Sequence, residues 1–281
     1  MKRFFAAICF TLTLCSATLV GQEFTLKNTR LYAGYATGRF ISIDQAYTKM
    51  GLFLPISCCN DAAAFVDGRA YCFNDGKWAA SGGLGVRKDF CEWGVVGINA
   101  YYDYLRGCAK SNYNQVGVGL EWLHECWDAR INGYLPVNTK TQLCKKCNFD
   151  QIGNGFSASK RNVEFVYKGL NAELGAPVIN HEKGTLYAAA GPYYYHTTYH
   201  RFWGGYGRVA MYMGSYISAE VRFSYDSVYK WNAQGYAQLS IPLNFFCSSN
   251  CCCSDLLFQP VQRNDLILTD RCCRWKWNWE D

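Results

Sequence analysis

After its first twenty residues the sequence has no stretch approaching the roughly twenty consecutive apolar residues that a membrane-spanning helix requires. Any span must therefore be built from strands. Charge is scarce too: Asp, Glu, Lys and Arg make up 18% of the chain, against about a quarter in an ordinary soluble domain. No strong charge bias exists. The net charge of +6 falls to +4 once Lys2 and Arg3 are removed with a leader, which gives no case for nucleic acid as a partner. The one glycine-rich stretch, Gly82-Gly83-Leu84-Gly85, lacks the Lys-Ser/Thr ending and following helix of a phosphate loop, which excludes a nucleotide site there. Only four histidines are present (His124, His181, His196, His200), and none stands in an order with Ser and Asp that defines a catalytic triad. Asp103 and Glu121 could face a common lumen, where charges set wall polarity. The expectation is a protein that is not an enzyme and needs no cofactor and no metal.

What is present starts with a leader. Met1-Lys2-Arg3, the apolar run from Phe4 to Val20 and then Gly21-Gln22-Glu23 have the form of a secretory signal peptide over 1–21. Removing Cys9 and Cys15 from the 16 cysteines leaves 14 in the exported chain, and in an oxidising compartment these read first as disulfides. Aromatics are plentiful, with 21 Tyr, 17 Phe and 9 Trp.

The strongest pattern has a period of two. In Ser215 to Asp226, Ile217, Ala219, Val221, Phe223 and Tyr225 alternate with Ser218, Glu220, Arg222 and Ser224. Segments near 230–243, 96–104, 116–122 and 129–137 behave alike. Further strands are predicted near 30–40, 63–74, 79–89, 161–168, 170–178, 184–195 and 205–214, about twelve in all. Charges on the polar face (Glu121, Arg130, Glu164, Glu173, Arg208, Glu220, Arg222) suit a wet lumen, and Tyr and Trp near strand ends suit interfacial girdles. The fold class expected is all-β, a twelve-stranded antiparallel transmembrane β-barrel of the outer membrane with outer-membrane lipid as its partner. Glu125-Cys126-Trp127-Asp128 reads as a tight turn, and Asn138 to Lys160 as a long polar loop. From Phe246 the alternation stops and a cysteine-rich tail begins.

Four blocks then stand in order: Gly82-Gly83-Leu84-Gly85-Val86-Arg87, Gly97-Ile98-Asn99-Ala100-Tyr101-Tyr102-Asp103-Tyr104, Gly117-Val118-Gly119-Leu120-Glu121-Trp122, and Asn132-Gly133-Tyr134-Leu135-Pro136. In this they resemble the inverse autotransporter β-domains of the intimin/invasin group. The motif positions are Gly85, Arg87, Gly97, Asn99, Asp103, Gly117, Gly119, Glu121, Asn132, Tyr134 and Pro136; Gln115 stands where relatives commonly place Arg. Stretches 65–69, 75–80 and 259–265 look like chlamydial versions of the domain, whose envelopes are reinforced by disulfide-linked proteins. The resemblance implies a twelve-stranded barrel, inserted by the barrel-assembly machinery, that exports a C-terminal passenger and keeps a linker threaded through its lumen. After Arg263 only 18 residues remain, so no passenger is evident.

The domain reading is thus a signal peptide at 1–21, an N-terminal segment with a possible first strand at 22–60, the inverse autotransporter-type barrel at 61–245, and a cysteine-rich tail or linker remnant at 246–281. The lumen is expected to hold at least part of that tail. Candidate disulfide cysteines are Cys144, Cys147, Cys247, Cys251, Cys252, Cys253, Cys272 and Cys273, and Cys144-Lys145-Lys146-Cys147 leaves zinc or redox chemistry open at lower weight. Two other roles accompany anchoring: a structural envelope protein cross-linked through disulfides to other envelope proteins, and a general diffusion pore.

Overall fold

The computed structural model describes residues 29–59, 61–107, 112–137, 141–153, 156–181, 184–243 and 255–279. The signal peptide reading and Cys247, Cys251, Cys252 and Cys253 lie outside them.

Twelve strands close a barrel: β1 (Arg30–Gly38), β2 (Tyr47–Cys59), β3 (Ala62–Phe73), β4 (Trp78–Asp89), β5 (Val95–Arg106), β6 (Asn112–Leu123), β7 (Asp128–Pro136), β10 (Lys168–His181), β11 (Gly184–His196), β12 (Arg201–Met213), β13 (Ile217–Asp226) and β14 (Lys230–Pro242). β1 pairs antiparallel with β14 from Arg30↔Pro242 to Gly38↔Gln234, so no barrel edge remains. Closure matters because lipid offers no partner to a bare N–H or C=O.

The number of strands matches the expectation, but two strands differ. β2 lies in the segment 22–60, which therefore contributes two wall strands and moves the start of the barrel to Arg30. Its inward side carries Tyr47, Lys49, Gly51, Phe53 and Pro55, so the contrast between the faces is blurred. The stretch 161–168 is not a wall strand. It falls mostly in β9 (Phe156–Val166), which with β8 (Thr141–Gly153) and β15 (Thr269–Trp279) forms a separate sheet in the order β15-β9-β8. The expected polar loop at 138–160 is thus largely a hairpin inserted between β7 and β10, and the tail contains a strand.

Alternation sorts each wall strand into two faces. Leu84, Val86, Ile98, Val118, Leu120 and Ile131 are exposed on the outside, an apolar surface too large for water and suited to lipid. Aromatic pairs ring it at both ends. Trp78–Tyr104, Tyr194–Trp203 and Tyr225–Trp231 pack with ring centroids 4.7, 4.5 and 5.1 Å apart at one end, and Trp122–Trp127 at 5.0 Å lies at the other. Tyr104 pairs with Asn114, eight residues before Trp122. That is about 26 Å along the strand, or about 20 Å across the membrane at a tilt near 40°, close to the band of an outer-membrane barrel.

The two ends differ. One has the connections 60–61, 90–94, 124–127, 182–183 and 214–216, together with the start of β1 and the end of β14. At that end His124 N donates to Trp127 O at 2.8 Å, closing the tight turn expected there. The far end carries the β8–β9 hairpin and the segment 39–46, which folds inward to bury Phe40 and Ile41.

Candidate functional site: the tail inside the lumen

The chain leaves β14 at the short-turn end, where Leu243 N donates to Thr29 O at 2.8 Å. A short 3-10 turn at Asp255–Phe258 follows, and Leu257, Phe258, Val261, Leu266, Ile267 and Leu268 are then buried inside the barrel. The contacts of this segment climb the wall in sequence order. Arg87 donates to Leu257 O at 3.0 Å and also to Gln259 O. Arg69 donates to Val261 O at 2.7 Å. Arg263 meets Asp103, Asn264 N donates to the Tyr134 hydroxyl at 2.9 Å, and Asp265 accepts from Lys49 at 2.6 Å and from Arg69. At the far end Tyr167 N donates to Leu268 O at 3.0 Å and Ser42 donates to Thr269 O. The tail therefore crosses the whole lumen.

Charge makes the fit specific. Arg263 forms a two-pronged pair with Asp103, Nη1 to Oδ1 at 2.9 Å and Nη2 to Oδ2 at 2.6 Å, with both side chains 1% exposed. The guanidinium lies 4.3 Å from the Tyr101 ring centroid, a second favourable contact for a cation shielded from water. Among the described residues, the other side chains that reach Asp103 are neutral: Ser81 at 2.5 Å and Gln115 at 3.4 Å. An arginine at 115, as the resemblance expects, would offer that carboxylate a rival cation; glutamine leaves it to the tail. Nearby, Arg69 pairs with the wall carboxylate Asp67, and Asp265 of the tail pairs with both Arg69 and Lys49.

The remaining wall charges pair among themselves. Arg87 holds Glu121 at 2.7 Å, and Arg208 bridges Glu173 at 2.7 Å and Glu220 at 3.2 Å. Arg130 reaches Glu173 at 3.2 Å and Asp128, and Arg222 pairs with Glu220. Glu164, expected on the lumen wall, instead belongs to β9 and meets Arg271 of the tail at 3.2 Å. Asp103 and Glu121 are each taken up by an arginine.

The motif positions gather on this inner face. Arg87, Asn99, Asp103, Glu121, Asn132 and Tyr134 are buried there. Cβ atoms added at Gly85, Gly97 and Gly119 would strike inward side chains, the Phe65 ring, Glu121 and Asn132 among them. Pro136 closes β7 at the far end. Gly117 shows why a glycine is needed: a Cβ there would lie 2.5 Å from Nη2 of Arg263. Gly117→Val is expected to push the guanidinium off Asp103 at a cost of about 1–3 kcal/mol. Gly68, where an added Cβ meets nothing within 4 Å, is the control. Protease sensitivity of the tail, compared between Gly117→Val and Gly68→Val, measures this; equal sensitivity would contradict the seat.

Lys49, Asp67, Arg69, Tyr101, Arg263 and Asp265 were not among the expected site residues. The signal for the last two is visible in retrospect, as two opposite charges two residues apart inside the otherwise uncharged Leu256 to Leu268.

Among the candidate cysteines, Cys144 is disulfide-bonded and Cys147 lies in β8. Cys272 and Cys273, candidates for bridges to other segments or other chains, carry free thiols in this structure, as do Cys72, Cys91 and Cys126. Among the described residues no cluster of three or more His, Cys, Asp or Glu is placed to hold a metal. His124 stacks on Trp127, and His196 and His200 bracket the turn closed by Thr197 N donating to His200 O.

Residues 45–157 match the family model described as the inverse autotransporter β-domain. No curated protein matches the chain. Among solved structures, one from work on the in-meso crystallization of membrane proteins is similar over 87% of this chain and 99% of its own, at 13% identity and a TM-score of 0.59. An outer-membrane channel from Pseudomonas putida F1 is 12% identical over 75% of this chain and 94% of its own, with a TM-score of 0.47. The β-domain of the Bordetella autotransporter Brka is 11% identical over 76% and 98%, with a TM-score of 0.33. The protein is an outer-membrane β-barrel.

Proposed function

We propose, for a chain that carries an inverse autotransporter β-domain, that the barrel anchors its own C-terminal segment, held through the lumen from the periplasmic end to the outer surface. The observation that carries this reading is the ionic fit: Arg263 of the tail pairs with Asp103, and Asp265 pairs with Lys49 and adds a second carboxylate beside Arg69. Sidedness follows the rule for such barrels, in which tight turns face the periplasm and long connections face outward. The β8–β9 hairpin and β15 then lie outside the cell. A linker that merely passes through would need no buried partners, because a charge taken out of water without one costs several kcal/mol.

The direct experiment is a charge exchange between Asp103 and Arg263, with tail protection as the readout. Loss in each single variant and recovery in the double supports a specific anchor. Unchanged protection in both singles refutes it.

A second reading is favoured by the thiols. Cys72, Cys91, Cys126 and Cys273 are exposed and unbridged, and an oxidising compartment favours their pairing with thiols of other envelope proteins. Envelopes run without reductant are expected to show the chain in cysteine-dependent multimers that collapse on reduction. A single monomeric band under both conditions would end this reading.

A further inference from the structure

The β8–β9 hairpin is an unusual addition to a barrel wall, and its two strands fit each other poorly. Their register shifts twice, between Leu143 and Lys145 and between Phe149 and Gly153. β9 pairs with the tail without a break: eleven consecutive positions run from Thr269↔Val166 to Trp279↔Phe156. β9 thus matches the tail strand better than it matches its own hairpin mate. A two-stranded hairpin in water is marginal, and a third strand supplies the missing ladder.

Side-chain contacts fix where the tail strand lands. Asp270 Oδ2 accepts from the Tyr229 hydroxyl at 2.9 Å and from Tyr167 at 3.3 Å. Burial pushes both phenols above their ordinary value, so both stay neutral donors. Arg271 Nε reaches Glu164 at 3.2 Å, and that carboxylate is almost fully buried. Cys272 packs against the aromatic cluster of Tyr193, Tyr195 and Phe202 that closes the far mouth. Ile41 and Ser42 hold positive φ angles of 25° and 65°, in a turn whose Ser42 hydroxyl donates to Thr269 O. Strained non-glycine backbone persists where its surroundings over-determine it.

We infer that the edge of β9 opposite β8, which β15 fills in this chain, is a strand-acceptor site for an extended peptide, recognised by main-chain pairing along eleven residues and by Glu164, Tyr167 and Tyr229 at its barrel end. The mode is β-augmentation, in which the ladder supplies affinity and side-chain contacts supply register. The ligand class is a peptide with an acid followed directly by an arginine, as in Asp270-Arg271, ahead of the run to Trp279. This rests on the anchoring reading only in that threading delivers β15 to the site. The site itself is a property of the hairpin and the barrel rim.

The test keeps the full chain and replaces only Thr269 to Trp279 by a Gly/Ser stretch of equal length, leaving 255–268 in the lumen. A heat-modifiable gel shift establishes that this variant is a folded barrel. The probe is a labelled synthetic peptide of residues 269–279 with both cysteines as serine. Saturable binding to the variant in liposomes is expected, at least tenfold stronger than to the unmodified chain, whose site is already filled. Glu164→Arg in the variant should lower peptide affinity at least tenfold, and a peptide with Arg271→Glu should recover it. No binding to the folded variant would overturn the proposal, as would equal binding to the unmodified chain or equal binding of a scrambled peptide. If the peptide binds but the tail is found wholly on the periplasmic side, the acceptor site stands and threading falls.

Discussion

A chain carrying Arg263→Asp is expected to release its tail from the lumen, and Asp103→Arg in the same chain to restore it. In the single variant two carboxylates face each other where one salt bridge was 99% enclosed, with Ser81 and Gln115 as the other side-chain partners of Asp103 among the described residues. Removing one member of a buried pair costs about 3–5 kcal/mol, and reversing its sign adds repulsion. The tail's remaining hold includes the Asp265 pairs, five backbone acceptors, the Asn264 N bond to Tyr134, the β15–β9 ladder and the apolar side chains from Leu257 to Leu268. Chymotrypsin added to the periplasmic side, with sites at Leu257, Phe258, Leu266 and Leu268 that the substitution leaves intact, is expected to cut the variant tail at least a hundredfold faster, since opening free energies convert to rates at about 1.4 kcal/mol per factor of ten. The double variant places an arginine on the wall and an aspartate on the tail, with the same neutral neighbours. It is expected to regain most of the protection. Recovery discriminates specific pairing from general damage to the barrel, because a damaged barrel gains nothing from a second substitution.

The second large effect is electrical. With its tail in place the barrel is expected to be silent in a planar bilayer, because the hydrophobic cluster of Phe40, Tyr134, Tyr193, Tyr195 and Leu268 closes the far mouth and the tail fills the centre. A cavity of about 660 Å³ opens at the short-turn end beside Asp128, Arg130 and Gln262, but leads into the plug. Removing residues 244–281 is expected to produce a steady conductance. Its ion preference should be weak: among the described residues, wall cations Lys49, Arg69, Arg87, Arg130, Arg208 and Arg222 stand against wall anions Asp67, Asp103, Glu121, Asp128, Glu173 and Glu220. A silent truncated barrel that still shows heat-modifiable folding would mean that the wall itself collapses inward and that the tail does not plug it.

Much of the wall is legible because membrane strands obey one rule, and eleven of the twelve strands that alternation predicts are wall strands where it puts them or within a few residues. β2 was lost because its inner face uses Phe53 and Pro55, which erase the apolar-polar contrast between its sides. The stretch at 161–168 reads as wall because Val163 and Phe165 alternate with Asn162 and Glu164 in β9 just as they would in a barrel; period two reports a sheet and says nothing of which sheet. β15 was hidden by its composition, since Cys272-Cys273 and the tryptophans after them read first as a disulfide tail. The site was legible by halves. Arg87, Asp103, Gly117 and Tyr134 stood out through the family blocks, whereas their tail partners are 130 to 170 residues away in the case of Asn264, Arg263 and Leu257. No local periodicity encodes contacts of that separation.

Topology across the membrane is the most direct measure of anchoring. An epitope placed directly after Trp279 and a second, in a separate chain, within the turn 214–216 can be probed with antibody on intact cells and after permeabilisation. Threading predicts that the first is reached on intact cells and the second only after permeabilisation. Both epitopes reached only after permeabilisation would contradict it.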